Sequence, residues 1–259
     1  MSVHPTAIID PAAEIAEDVD IGPYVIVEGP VRIGAGTRIL SHAHLSGDTQ
    51  IGNGCEIHMG AVLGHTPQDR DLEGEGGGLT IGDRNLVREY VTIHRASKPG
   101  ERTIIGDGNF LLSCCHIAHN CRIGNINNIA NGALLAGYVT LGDRNFISGN
   151  VVIHQFVKVG DMTMIGGASR VSKDVPPYMI LEGNSKIRGV NFIGLQRAGL
   201  SEEQRLTIKK AYRILYQSKL NVRNAVAKLE ELRDAPEIQN ILDFIANSER
   251  GLSGGGRAR

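Results

Sequence analysis

The chain has no tryptophan, 4% aromatic residues and four cysteines in 259 residues. So few rings are unusual for an ordinary globular core and suit a repetitive fold in which small residues recur at fixed places. Cys55, Cys114, Cys115 and Cys121 show no paired zinc spacing and are too few for a disulfide scaffold. No run of eighteen apolar residues occurs, so no transmembrane segment is expected. The start MSVHPTAIID lacks the charged end and apolar centre of a signal peptide, which leads to the expectation of a soluble, cytoplasmic protein. A formal charge of -1 and a pI near 6.8 give no basic field, so nucleic acid is not an expected partner. Glycine, at 33 residues, is what the chain has in excess.

The glycines follow a register. Ile-Gly, Leu-Gly or Val-Gly pairs start at Ile21, Ile33, Ile51, Ile81, Ile105 and Ile123, and again at Leu141, Val159 and Ile165; every interval is a multiple of six. Cut into sixes from Val3 to Val171, the chain gives 29 hexads, of which 26 open with Ile, Leu or Val; Asp69, Glu75 and Pro99 are the breaks. Chance would supply about twelve matches, so a hexapeptide repeat is the reading. The first residue of each hexad should point into a narrow tube. The fifth, often Thr, Ala, Asn or Cys, should be a small inward filler, because bulk there would overfill it. Cys55, Cys115 and Cys121 fall on that fifth position and read as apolar packing, whereas Cys114 points outward.

This pattern resembles the left-handed parallel β-helix of the hexapeptide-repeat acyltransferases. The hand is taken from that resemblance, since the general rule for parallel crossovers favours the right-handed form. In that fold three hexads make one triangular coil of eighteen residues. The expected architecture is therefore mainly β: a left-handed parallel β-helix over residues 1–190, followed by a small helical C-terminal domain over 191–259. Gly- and charge-rich sequence near 64–80 and polar sequence near 95–103 read as loops extruded from the coil. The repeat stops at Asp174-Val175-Pro176-Pro177, where prolines cannot continue a ladder. Ser201 and Gln204 form a capping-box signature before an apolar-periodic run through Tyr216, with further helices expected near 221–232 and 236–248 and a disordered tail, GLSGGGRAR. From Phe192 onward there are 12 Lys and Arg against 8 Asp and Glu, a basic cap on an otherwise acidic body.

Within the uninterrupted stretch from Ile105 to Val171 the coil length places residues above one another. His119, Gly137 and Gln155 should form one column, Asn120 should lie under Tyr138, and His154 falls two coils beyond Ala118. A neutral histidine can take a proton from an attacking hydroxyl or amine. A glycine N–H, free of any side chain, can steady the oxyanion that forms. A surface histidine of a repeat protein can equally be structural, and the spacing alone leaves that open. His116 and His119 also suggest metal ligands, but zinc needs three or four converging donors and the column supplies Gly137 and Gln155 instead. Neither metal nor cofactor is expected.

A closer resemblance rests on His116-Ile-Ala-His119, Ile153-His154-Gln155-Phe156, Asp174-Val-Pro-Pro-Tyr178 and Asn191 through Gly199, supported by Ile93-His94-Arg95 and Leu135-Ala-Gly137. Across its whole length the chain is similar to the acyl-[acyl-carrier-protein]–UDP-N-acetylglucosamine O-acyltransferase family, which starts lipid A biosynthesis. The resemblance implies that His119 is the general base for the sugar 3-hydroxyl and that the Gly137 amide binds the oxyanion. It implies sugar or acyl contacts for Gln68, Asp69, His116, His154 and Gln155, with Tyr138 in the sugar site. Asn191 and Arg197 match nucleotide-binding positions, and Gly167 matches a chain-length ruler whose small size leaves room for a longer acyl chain. The implied partners are acyl carrier protein, received by the basic cap, a UDP-sugar, and two further copies in a homotrimer whose sites lie between subunits. Asn120 stands where the family usually has aspartate, and Tyr138 where it usually has histidine. These two departures keep a 3-amino UDP-sugar acceptor open, and a coenzyme A thioester donor is a further alternative.

Overall fold

The structure, a computed structural model, describes residues 2–255. Strands of two to five residues wind into three sheets of twelve, nine and eight strands, which begin with Ser2–Val3, Ile8–Ile9 and Glu14–Ile15. Each strand of the repeat pairs in parallel with the one a full turn later, as in Phe110↔Asn128, His116↔Leu134 and Arg122↔Thr140, each 18 residues apart. The chain is thus a three-faced parallel β-helix. Ile105, Leu111, Ile117 and Ile123, which open their hexads, are at most 3% exposed, and the fifth residues Cys115, Cys121, Asn127 and Ala133 are fully buried.

An asparagine inside an apolar tube has to find partners for its amide. Here the tube supplies them by stacking. Asn109 and Asn127 each donate both backbone N–H and Nδ2 to the Oδ1 of the asparagine one coil below, Asn85 and Asn109 respectively, at 2.9–3.0 Å. Asn145 N continues the column onto Asn127 at 2.8 Å.

The paired glycines have a different cause from the turn geometry that their abundance suggests. The left-handed corner falls two places later in the hexad and is filled mostly by other residues, such as Cys114, Asn120 and Tyr138, all at φ 61°. At Gly124 the constraint is contact between coils. A Cβ there would lie 2.8 Å from Gly142 O and run into Asp143 Oδ1, which accepts the Asn125 N–H at 2.7 Å.

The two loops interrupt the coil but keep its six-residue count, with one irregularity between Leu63 and His65 where the first loop departs. Glu56 pairs with Leu86 across 30 residues and Leu86 with Phe110 across 24, against 18 in an uninterrupted coil such as Phe110 to Asn128, so the insertions amount to twelve and six residues. Both are whole hexads, which is why the six-residue count survives them. The loops are also shorter than the sequence suggests, because Val62–His65, Gly78–Ile81 and Arg102–Ile105 are strands.

The ladder continues past Pro176-Pro177, contrary to expectation. The prolines occupy a corner, and Met179–Glu182 adds one more parallel rung on Met164–Ile165 before pairing antiparallel with Lys186–Val190. Four helices follow: α1 Phe192–Arg197, α2 Glu202–Tyr212, α3 Val222–Glu230 and α4 Pro236–Ala246. The Ser201/Gln204 capping box is present at α2, which passes into a π-helical turn over Arg213–Gln217. The tail expectation needs correction as far as Gly255. Gly254–Gly255 pairs with Lys186-Ile187, and Ser253 N donates to Asp174 O at 2.7 Å; residues 256–259 lie outside the described residues. Buried Asp174 anchors this return, accepting from Lys158 N at 2.8 Å and Ser248 Oγ at 2.7 Å. Among the described residues no helix is long and apolar enough to cross a membrane.

The coil contact at Gly124 is directly testable. Gly124→Ala should destabilise the protein by about 1–3 kcal/mol, the usual cost of overpacking. Gly189→Ala, where a Cβ meets nothing within 4 Å, should be tolerated. Urea midpoints of the two variants measure the difference.

Candidate active site

His119 follows the strand His116–Ile117 at the corner where the nine-stranded sheet turns into the eight-stranded one, and it is 6% exposed. The coil above is in register with it, since Tyr138 N donates to His119 O at 3.0 Å and Phe156 N to Gly137 O at 3.1 Å. The imidazole lies against the Gly137 backbone. A Cβ on that glycine would sit 2.6 Å from His119 Cε1 and 2.7 Å from Nε2, so no larger residue leaves the ring where it is. Among the described residues the Gly137 N–H donates to no acceptor.

The ring's other nitrogen sets its tautomer. His119 Nδ1 is 2.9 Å from Asn120 Oδ1. That atom is an oxygen because it accepts from Ser97 N at 3.0 Å and Ser97 Oγ at 3.1 Å, while Asn120 Nδ2 donates to the Glu101 carboxylate at 2.5 Å. Nδ1 therefore carries the hydrogen, and Nε2 is left with its lone pair on the Gly137 side. Asn120 N donates to Thr103 Oγ1 at 2.8 Å, so Ser97 and Glu101 of the second loop and Thr103 of the strand that follows it hold this one side chain and its backbone. From the first loop, Asp69 Oδ2 comes to 3.6 Å from His119 Nδ1. The Asp69 carboxyl is held below its ordinary range mainly by the Asp71 N–H, with a smaller contribution from a hydrogen bond to Ser97.

A pair of histidines, His116 and His94, adjoins His119. His116 Nδ1 is 2.7 Å from Thr92 Oγ1, and the His94 ring stands edge-on to His116 with centroids 5.0 Å apart. Gln68 N donates to His94 Nδ1 at 3.4 Å, which keeps that nitrogen unprotonated. Burial, then the neighbouring His116 and His65, push the His94 pKa down to about 4; burial and His119 lower that of His116.

Gln68, His116, His119, Gly137 and Gln155 line one groove of about 320 Å³, with Leu134 and Val152 on its apolar side. Asp69 reaches His119 from outside this groove, and the remaining residues singled out from the sequence do not line it. Tyr138 stands edge-on to His119 at 5.5 Å, stacks on Phe156 at 4.9 Å, and lines a neighbouring groove with Glu101, Asn120 and Arg122. His154 is exposed, with Nδ1 3.2 Å from Gln155 O. Gly167 lies at a different corner, after the twelve-stranded face, where a Cβ would come no closer than 3.5 Å to Gly149 O. Asn191 and Arg197 line a larger, apolar groove of about 670 Å³ with Phe146 and Met164. The Asn191 amide is engaged at both ends, accepting from Gly194 N at 3.1 Å as the cap of α1 and donating to Met162 O at 2.9 Å.

Sequence reasoning missed Ser97, Glu101 and Thr103, because polar residues in a polar loop carry no signal of their own. Burial raises the thiol pKa of Cys115 and Cys121 to about 12, in keeping with their place as interior filler. Among the described residues no group of three or more His, Cys, Asp and Glu side chains is arranged to hold a metal ion.

The His94 shift has a measurable consequence. The unfolded chain protonates this ring near pH 6.5 and the folded one only near pH 4. Its contribution is therefore intact above pH 6.5 and is lost as the pH falls towards 4, by up to about 3 kcal/mol. His94→Gln should flatten that part of a plot of urea stability against pH.

Comparison with known proteins places this geometry. A family model described as UDP N-acetylglucosamine O-acyltransferase, domain 2, matches residues 174–253, and one for bacterial transferase hexapeptide repeats matches 30–65. An acyl-[acyl-carrier-protein]–UDP-N-acetylglucosamine O-acyltransferase of Thermodesulfovibrio yellowstonii is 49% identical over 253 residues, covering 96% of this chain and 98% of its own. The fold matches the crystal structure of the UDP-N-acetylglucosamine acyltransferase of Bacteroides fragilis with a TM-score of 0.93 at 45% identity, over 96% of this chain and 99% of that one. For the O-acyltransferase of Moraxella catarrhalis the TM-score is 0.94 at 40% identity, over 98% and 100%. With these neighbours and the hexapeptide match, the coil is a left-handed parallel β-helix with a small helical C-terminal part. At 49% identity across nearly the full length of both chains, this protein belongs to the family of acyl-[acyl-carrier-protein]–UDP-N-acetylglucosamine O-acyltransferases.

Proposed function

We propose that this chain transfers a 3-hydroxyacyl group from acyl carrier protein to the 3-hydroxyl of UDP-N-acetylglucosamine, the first step of lipid A biosynthesis, with His119 as general base. The observation that carries the reading is the fixed tautomer of His119, whose proton-free Nε2 lies over a glycine in a groove. Nε2 takes the hydroxyl proton as the sugar oxygen bonds to the thioester carbonyl carbon. The carbonyl oxygen becomes an oxyanion that the unengaged Gly137 N–H steadies. When the intermediate collapses, the carbon–sulfur bond breaks and the imidazolium returns its proton to the carrier thiolate.

Gln68, Asp69, His116 and Gln155 are placed to hold sugar and acyl groups beside this centre, with Tyr138 and His154 at its margins. Asn191 and Arg197 serve the nucleotide, where the Arg197 guanidinium suits a diphosphate. Gly167 leaves the acyl path open. The His119 groove and the Asn191/Arg197 groove share no residue on one chain. That separation supports a homotrimer in which neighbouring subunits complete each site. The basic helical cap is suited to an acidic carrier protein, and a cytoplasmic location fits both partners.

The uncharged Asn120 beside the base favours a second reading, a 3-amino UDP-sugar acceptor, because an amine nucleophile needs less help from a base. Mass spectrometry of products formed from UDP-N-acetylglucosamine and its 3-amino analogue, with a mixed pool of acyl carrier thioesters, separates the two readings and gives the chain length. His119→Ala should lower turnover roughly 10²–10⁴-fold while the trimer persists on a sizing column. An active variant would remove His119 from the role of base.

A further inference from the structure

We infer that Glu101 is a positioning residue for acyl transfer, acting on His119 through the side-chain amide of Asn120. This rests on the reading of His119 as the base. The atoms form a continuous line: His119 Nδ1–H to Asn120 Oδ1 at 2.9 Å, then Asn120 Nδ2–H to Glu101 Oε2 at 2.5 Å. The Asn120 side chain cannot turn over, since its oxygen also receives the Ser97 N–H and hydroxyl. Its backbone is held as well, by Thr103 Oγ1 on the N–H and by a left-handed corner at φ 61°.

A primary amide is conjugated from nitrogen to oxygen. An anion accepting from its N–H draws the hydrogen outward and leaves more negative charge on the carbonyl oxygen, so consecutive hydrogen bonds reinforce one another. Asn120 therefore passes the influence of the Glu101 carboxylate to Nδ1 of the base. When Nε2 receives the substrate proton the ring becomes a cation, and the charge it meets through Asn120 favours that state. A carboxylate placed directly on a ring nitrogen would favour the imidazolium before the substrate arrives. An intervening neutral amide fixes the tautomer while leaving Nε2 free to act.

Other charged groups surround the line without replacing it. Asp69 Oδ2, at 3.6 Å, is beyond hydrogen-bond reach of Nδ1. Arg102, next to Glu101, is engaged with Asp48 and with Leu79 O, and Arg122 lines the groove on the Glu101 side. His116 and Gln68 line the opposite groove, with His94 edge-on behind His116. Glu101 is itself exposed, so its replacement does not threaten the core.

The experiment measures kcat, KM and the pH profile of the acyl carrier-dependent reaction for E101Q, N120D and the double variant, with melting temperature as a control. Glutamine keeps an oxygen for Asn120 Nδ2 but removes the charge. E101Q should therefore lower kcat about tenfold, the scale of one charge-assisted hydrogen bond. KM for the UDP-sugar and the melting temperature should stay unchanged, and the acidic limb of the profile should move to lower pH because the imidazolium has lost an anion. In N120D two carboxylates face each other where a hydrogen bond stood, and adding E101Q to it should raise kcat. The opposite signs in the two backgrounds are the signature of coupling through the residue at 120. The proposal is overturned if E101Q costs the same factor in both backgrounds, or if it leaves kcat and the profile unaltered while His119→Ala is inactive. An active His119→Ala would instead remove the base reading itself.

Discussion

Stacking of one coil on the next at an 18-residue offset is the constraint on which the rest of the molecule depends. Strands of two residues cannot stand alone. They persist because every rung is hydrogen-bonded to the rungs above and below it, at the roughly 4.8 Å spacing of parallel strands. That spacing leaves no room for a Cβ at Gly124, turns buried Asn85, Asn109 and Asn127 into a one-way ladder in which each asparagine donates to the one a coil before it, and sets the His119 ring on bare Gly137. The same contact that stabilises the tube therefore positions the His119 ring.

The loops are the part of the design that the repeat does not dictate. They enter as twelve and six residues, keep the six-residue count, and return to one place. Asp69 arrives from the first loop at Nδ1 of His119; Ser97 and Glu101 of the second loop, with Thr103 just beyond it, arrive at Asn120. Arg95 ties them together, donating to Gly64 O at 2.9 Å and Glu75 O at 3.0 Å. A rigid prism offers flat faces, and these loops supply the walls and the polar partners that a flat face lacks.

Asn120 shows how a departure in sequence can be absorbed by structure. Read in isolation, asparagine where the resemblance leads to the expectation of aspartate puts no negative charge beside His119. In the folded chain the carboxylate of Glu101 stands one hydrogen bond further away, on the far side of the amide. Nothing in the spacing of Glu101 and Asn120 along the chain announces this, because the length and course of the second loop decide it.

What could be read from the sequence is what repeats. First and fifth hexad residues such as Ile117 and Cys121 are buried as their periodicity requires, and the column His119–Gly137–Gln155 follows from counting eighteen, because a strand ladder converts a fixed interval into a fixed neighbour. The reason for the paired glycines, the extra rung after Pro177 and the return of the tail to Asp174 were not legible, since each depends on contacts between segments with no common period. By itself the sequence determined the coil, its register and the residues that share a corner. Tertiary structure alone decided which nitrogen of His119 carries the proton, which carboxylates approach it, and that Asn191 and Arg197 lie in a different groove, because loop paths and corner contacts arise only when distant segments meet.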